Sequence, residues 1–271
     1  MKLAFNFIII LCVMISINCG ASPADNNKAT ITAKAPQTKY SEAQIKNNIS
    51  KCTVILRKAV EEHFIKEDGM EGCNKSIYEM NYAISNKRYR NSQLINYLEK
   101  YVDIYSEVYS NKKSFIESYA LVKKIKETSK ILSVHINNLN KIFLNPSSKA
   151  EKDFAYISNR NKDLLDRLVL NAELAINPET GNDEAVKKMD RMAKDAIILG
   201  RVINAMLLGD GKLKIQEVKD KQARNELALA KNIYTPIRNN VGALLDIAPD
   251  LYKSRYQLSE LQNITDNLVR L

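Results

Sequence analysis

The sequence predicts an all-α protein, an elongated bundle of about seven to nine helices with short connections. Three observations predict it. Apolar residues recur at helical spacing through most of the 271 residues, and no segment sustains the period-two alternation of a half-buried strand. Only 8 Gly and 6 Pro are present, too few for the many turns of a β sandwich or barrel. Hydrophobic residues form 45% of the chain, enough to build a core.

The helices can be taken in order. Ser41-Glu42-Ala43-Gln44 is a capping box, and Ile45, Ile49, Leu56, Val60 and Phe64 follow at helical spacing. Asp68-Gly69 and Gly72 predict the end of that helix, and Cys73 begins a second, carrying Ile77, Met80 and Ile84. A third carries Leu94, Leu98, Tyr101, Tyr105 and Val108. The fourth runs from about Asn111 to Leu144, where Asn145-Pro146 stops it. Ser148 to Glu151 is another capping box, opening a fifth helix through Phe154, Ile157, Leu164, Leu168 and Ala172 that Asn177-Pro178 ends. The sixth carries Val186, Met189, Ala193, Ile197 and Leu208 and closes at Gly209-Asp210-Gly211. The remainder, Lys212 to Leu271, is expected to be divided at Thr235-Pro236 and Ala248-Pro249, because Pro favours a helix's first turn.

Ahead of the folded part, Lys2 precedes an apolar run from Phe5 to Ile17, too short for a spanning helix of about 20 residues and typical of a secretory signal. It ends at Ser16-Ile17-Asn18-Cys19-Gly20, and a Cys there is where bacterial lipoproteins are cleaved and acylated. Residues 1–18 are therefore read as a lipoprotein signal peptide. Residues 19–40 are read as acylated Cys19 with a flexible polar tether, and residues 41–271 as a single helical domain. Multiple acyl chains on Cys19 make a stable membrane anchor. With Cys12 inside the signal and Cys19 acylated, Cys52 and Cys73 remain as a disulfide pair in an exported chain.

The chain carries 41 Lys+Arg against 31 Asp+Glu, a formal charge of +10. Residues 75–145 alone hold +6. Projected at 100° per residue, Lys112, Lys123, Lys126, Lys130 and Lys141 fall on one line of the fourth helix, with no acid of that helix within 40°. Ile116, Tyr119, Val134 and Asn137 share the line. Leu121, Ile125, Leu132, Ile136, Leu139 and Phe143 gather opposite. A row of lysines roughly 44 Å long suits an extended polyanion, a nucleic-acid backbone or a sulfated glycan, with Lys87, Arg88 and Arg90 in support. The same row also fits a solvated face opposite a core.

Tyr97, Tyr101, Tyr105 and Tyr109 repeat every four residues and share one helix surface. They are read either as an interhelical seam with hydroxyls reaching water, or as a platform for a partner. His63 and His135 are isolated and lack ligand spacing with a Cys; Gly209 to Lys212 lacks the spacing of a phosphate loop. No catalytic residue, metal site or cofactor is therefore expected.

Cys19 after a signal ending in Asn18, the polar tether, and a Lys/Ile/Asn-rich helical body with 28 Asn together resemble Borrelia-type spirochaetal outer-surface lipoproteins. The departure is Ser16, where such signals carry Leu or another apolar residue. Residues 1–19 carry the motif, and the rest is a likeness of composition. The resemblance implies a cell-surface location on the outer membrane. It also implies one of two activities: binding a host protein such as a complement or matrix component, or, as in one basic paralogous set, non-specific DNA binding. Charge placement inclines the reading to the second. The expected function is a non-enzymatic, membrane-anchored module whose basic face binds polyanions, with a host-protein receptor as the alternative.

Overall fold

The computed structural model describes residues 41–61, 67–86, 89 and 91–271. All of them belong to one compact unit, Tyr40–Leu271. Cys19, His63, Lys87, Arg88 and Arg90 lie outside the described residues. Among those described there are seven helices: α1 (Glu42–Glu61), α2 (Glu67–Ser85), α3 (Ser92–Ser110), α4 (Lys112–Ile142), α5 (Lys149–Ile176), α6 (Asn182–Leu208) and α7 (Lys221–Arg270). The only β feature among them is an isolated bridge, Asp210 to Ile215, in the α6–α7 turn.

Local chemistry sets most helix starts. Ser41 and Gln44 cap α1 reciprocally, Ser41 N donating to Gln44 Oε1 at 2.8 Å and Gln44 N to Ser41 Oγ at 3.3 Å. Asn91 Oδ1 accepts from Gln93 N and Leu94 N at α3. Ser148 Oγ accepts from Glu151 N at α5, and Asp220 Oδ1 from Ala223 N at α7.

Two helices depart from the sequence expectation. α2 begins at Glu67, so Gly69 and Gly72 lie inside it rather than ending its predecessor. Each Gly costs a helix about 1 kcal/mol relative to Ala. Burial of Met70, Cys73, Ile77 and Met80 at 6% exposure or less, with the Cys52–Cys73 disulfide to α1 (Cα–Cα 5.4 Å), offsets that cost. α7 is one helix of 50 residues with Pro236 and Pro249 inside it, not three shorter ones. Each Pro deprives the carbonyl four residues earlier of its partner. Asn232 and Leu245, which carry those carbonyls, are both exposed, so solvent can satisfy them.

The helices form two four-helix groups that share α7. α4, α5, α6 and the first part of α7 make one: α4 packs on α5 and α7, and α6 packs on α5 and α7. α1, α2, α3 and the last part of α7 make the other. The α4–α7 pairing is antiparallel, since Asn111 meets Ser254 (3.0 Å) while His135 meets Glu226 (2.7 Å). The second group is tied by buried hydroxyls: Thr53 bonds Tyr101 (3.0 Å) and Thr265 (2.9 Å), and Tyr101 donates to Ile49 O.

Candidate polyanion-binding face

Helix α4 is positioned by its apolar stripe. Leu121, Ile125, Leu132, Ile136 and Leu139 are buried, as is Phe143 just past its end, so the lysine line is turned outward. Lys123, Lys130 and Lys141 are exposed and enter no ion pair among the described residues. At 1.5 Å per residue they span roughly 27 Å of helix.

The other two lysines of the line are engaged. Lys126 Nζ lies 2.5 Å from Glu173 Oε1 of α5. The hydrogen bond and the attraction of that carboxylate push the lysine above its ordinary value, so it stays charged. The line therefore has an acid beside it, contributed by a neighbouring helix rather than by α4 itself. Lys112 is half-buried, its Nζ 4.0 Å from the Tyr109 ring centroid and 2.8 Å from the Tyr109 hydroxyl.

The tyrosine ridge is a seam. Tyr101 and Tyr105 are 0% and 1% exposed, stacked at 6.1 Å, and Tyr105 stacks on Tyr109 at 6.2 Å. Tyr97 is partly buried against the same core. Burial pushes the Tyr101 and Tyr105 hydroxyls well above the usual phenol range. Rings held this way are not a platform for a partner, because α1 and α2 already cover them: Tyr101 bonds Thr53, and Tyr105 donates to Asn74 Oδ1 at 3.3 Å.

The α4 line also borders a cleft that the sequence did not single out. Asn177 takes an extended conformation (φ −66°, ψ 123°) ahead of Pro178 and ends α5 opposite the Tyr119–Lys126 stretch of α4. The uncovered space is a cavity of about 380 Å³ lined by Tyr119, Val122, Lys123, Lys126, Glu173, Ile176, Asn177 and Pro178. Arg255 of α7 fixes this helix end by donating to Ala175 O (3.3 Å) and to Ile176 O. The signal for the cleft was the helix stop at Asn177-Pro178. What that stop leaves open depends on α4, 47 residues away at the Lys126–Glu173 pair.

Among the described residues, no group of three or more His, Cys, Asp or Glu is arranged to hold a metal ion, and no helix is long and apolar enough to cross a membrane. No protein-family model matches the sequence. Among curated proteins, it is similar to "Putative methyl-accepting chemotaxis AlkN" of Alcanivorax borkumensis, 34% identical over 76 residues. That alignment covers 28% of this chain and 11% of AlkN. It is also similar to "Protein PilJ" of Pseudomonas aeruginosa, 21% identical over 162 residues, covering 59% of this chain and 23% of PilJ. The chain thus spans less than a quarter of the length of either relative.

Proposed function

We propose that this chain is a non-enzymatic binding module, anchored to the outer membrane through acylated Cys19, whose α4 face binds polyanions without sequence specificity. The observation that carries it is the row Lys123, Lys130 and Lys141, exposed and without an acidic partner among the described residues. Point charges repeating along a straight helix suit the regular charge of a DNA or sulfated-glycan chain more than a compact ligand. Lys126, already held by Glu173, contributes less.

Titration of the intact protein with fluorescent duplex DNA and with heparin at two salt concentrations tests this. Three phosphate contacts give a slope near −2.7 in log K against log salt, so affinity falls about 40-fold between about 50 and 200 mM. Lys123→Glu, Lys130→Glu and Lys141→Glu together should abolish binding. Binding that is absent at low salt, or untouched by the triple change, refutes the reading.

The likeness over 76 residues to AlkN, whose description reads "Putative methyl-accepting chemotaxis", supports a second reading, a helical module of a chemotaxis-type signalling protein. Saturable binding of a small molecule with no affinity for heparin favours it. A host-protein receptor built on the tyrosine ridge has no support once Tyr101 and Tyr105 are buried.

A further inference from the structure

We propose that the cleft between α4 and the end of α5 is a binding site for a small aromatic monocarboxylate. This goes beyond polyanion binding and does not depend on it. Its volume, about 380 Å³, lies at the lower end of small-molecule sites. That is room for one ring and a short acid chain.

The lining is divided as such a ligand requires. Val122 and Ile176, each 5% exposed, form an apolar floor, and Pro178 and the half-exposed ring of Tyr119 are the walls. An aromatic ring set against Tyr119 gains an offset or edge contact in addition to burial. The charged groups are Lys123, Lys126 and Glu173. Two ammoniums and one carboxylate leave a single net positive charge, which a monoanion neutralises. Lys126 is already satisfied by Glu173 at 2.5 Å, so Lys123 is the free donor. Asn177 uses its side-chain oxygen to accept from Glu179 N (2.9 Å), which leaves its amide nitrogen as a second donor.

The probe is phenylacetate, titrated into the intact protein and followed by calorimetry and by backbone amide shifts. Phenethyl alcohol, lacking the charge, and acetate, lacking the ring, are the controls. Saturable phenylacetate binding with shifts confined to 119–126 and 173–178 is expected, and both controls should bind at least about tenfold more weakly. Lys123→Gln should weaken phenylacetate about tenfold, the loss expected for one hydrogen bond to a charged group. Glu173→Gln releases Lys126 and should tighten binding, a change of sign that mere loss of structure does not produce. Lys130→Gln with Lys141→Gln should weaken heparin and leave phenylacetate unchanged, so the two proposals fail separately. No saturable binding below about 10 mM, equal binding of phenethyl alcohol, or indifference to Lys123→Gln overturns the site.

Discussion

Gly200 of α6 sits where Tyr234 of α7 crosses it. A Cβ placed there would lie 2.5 Å from three atoms of the tyrosine, two in the ring and the hydroxyl oxygen. The tyrosine cannot readily swing away, being 8% exposed with its hydroxyl donating to Ala196 O at 2.6 Å. Gly200→Ala gains about 1 kcal/mol of helix propensity but overpacks the contact, a cost of about 1–3 kcal/mol or more. Urea denaturation should show a net loss of about 1–2 kcal/mol, smaller in a Tyr234→Leu background, where the ring is gone. An equal loss in both backgrounds would show that the ring is not the cause. Glu107 gives a residue-scale prediction in pH. A hydrogen bond from Lys253 chiefly, opposed by partial desolvation and aided by Gln257, holds its carboxyl below the ordinary 4.5. A depressed folded value means the contribution is present above 4.5 and is lost as pH falls through the lower folded value. The Tm difference between the native chain and Glu107→Gln should therefore be larger at pH 7 than at pH 3.

At the scale of the element, α7 shows where local rules stop. Pro236 lacks the N–H that Asn232 O would receive, and the hydroxyl of the adjacent Thr235 does not replace it, donating to Lys231 O at 3.2 Å. The helix continues because Tyr234, Ile237, Val241 and Leu244 are buried on its other side. Pro236→Ala should restore the hydrogen bond at the price of a looser unfolded chain, raising stability by roughly 1–2 kcal/mol in thermal melts. A fall in Tm would mean that the helix needs the local bend. The same contrast separates what was legible in the sequence from what was not. Capping by Ser41 and Ser148, and the buried stripe of α4, depend on residues within a few positions of one another, so periodicity exposes them. The continuity of α2 through Gly69 depends on burial of Met70 and Cys73 and on the disulfide to α1, and that of α7 through Pro249 on burial of Ala248 and Leu251. Likewise the lysine line was legible on the wheel of α4. The pairing of Lys126 with Glu173, and the cleft beside it, arise from the end of another helix.

For the whole molecule, the question is whether two helix groups behave as one. α7 belongs to both: Glu226 meets His135 in one group, and Thr265 meets Thr53 in the other. Where they meet, Tyr252 donates to Ala185 O at 3.1 Å and Arg255 binds the last carbonyls of α5, while Lys253 and Gln257 next to them donate to Glu107 of α3 in the other group. These contacts make the middle of α7 a bridge rather than a hinge, so loss of structure in one group withdraws support from the other. Reducing Cys52–Cys73, which closes a separation of 21 residues between α1 and α2, should cost about 3 kcal/mol in the chain-entropy model. If the bridge couples the groups, that loss appears as one thermal transition at lower temperature. Slowly exchanging amides of α5 and α6, remote from the disulfide in the chain, should then exchange about 100-fold faster. If α5 and α6 keep their protection while α1 and α2 lose theirs, α7 joins two independent cooperative units. In that case anion binding on α4 would survive reduction of the disulfide at temperatures where α1 and α2 have already opened.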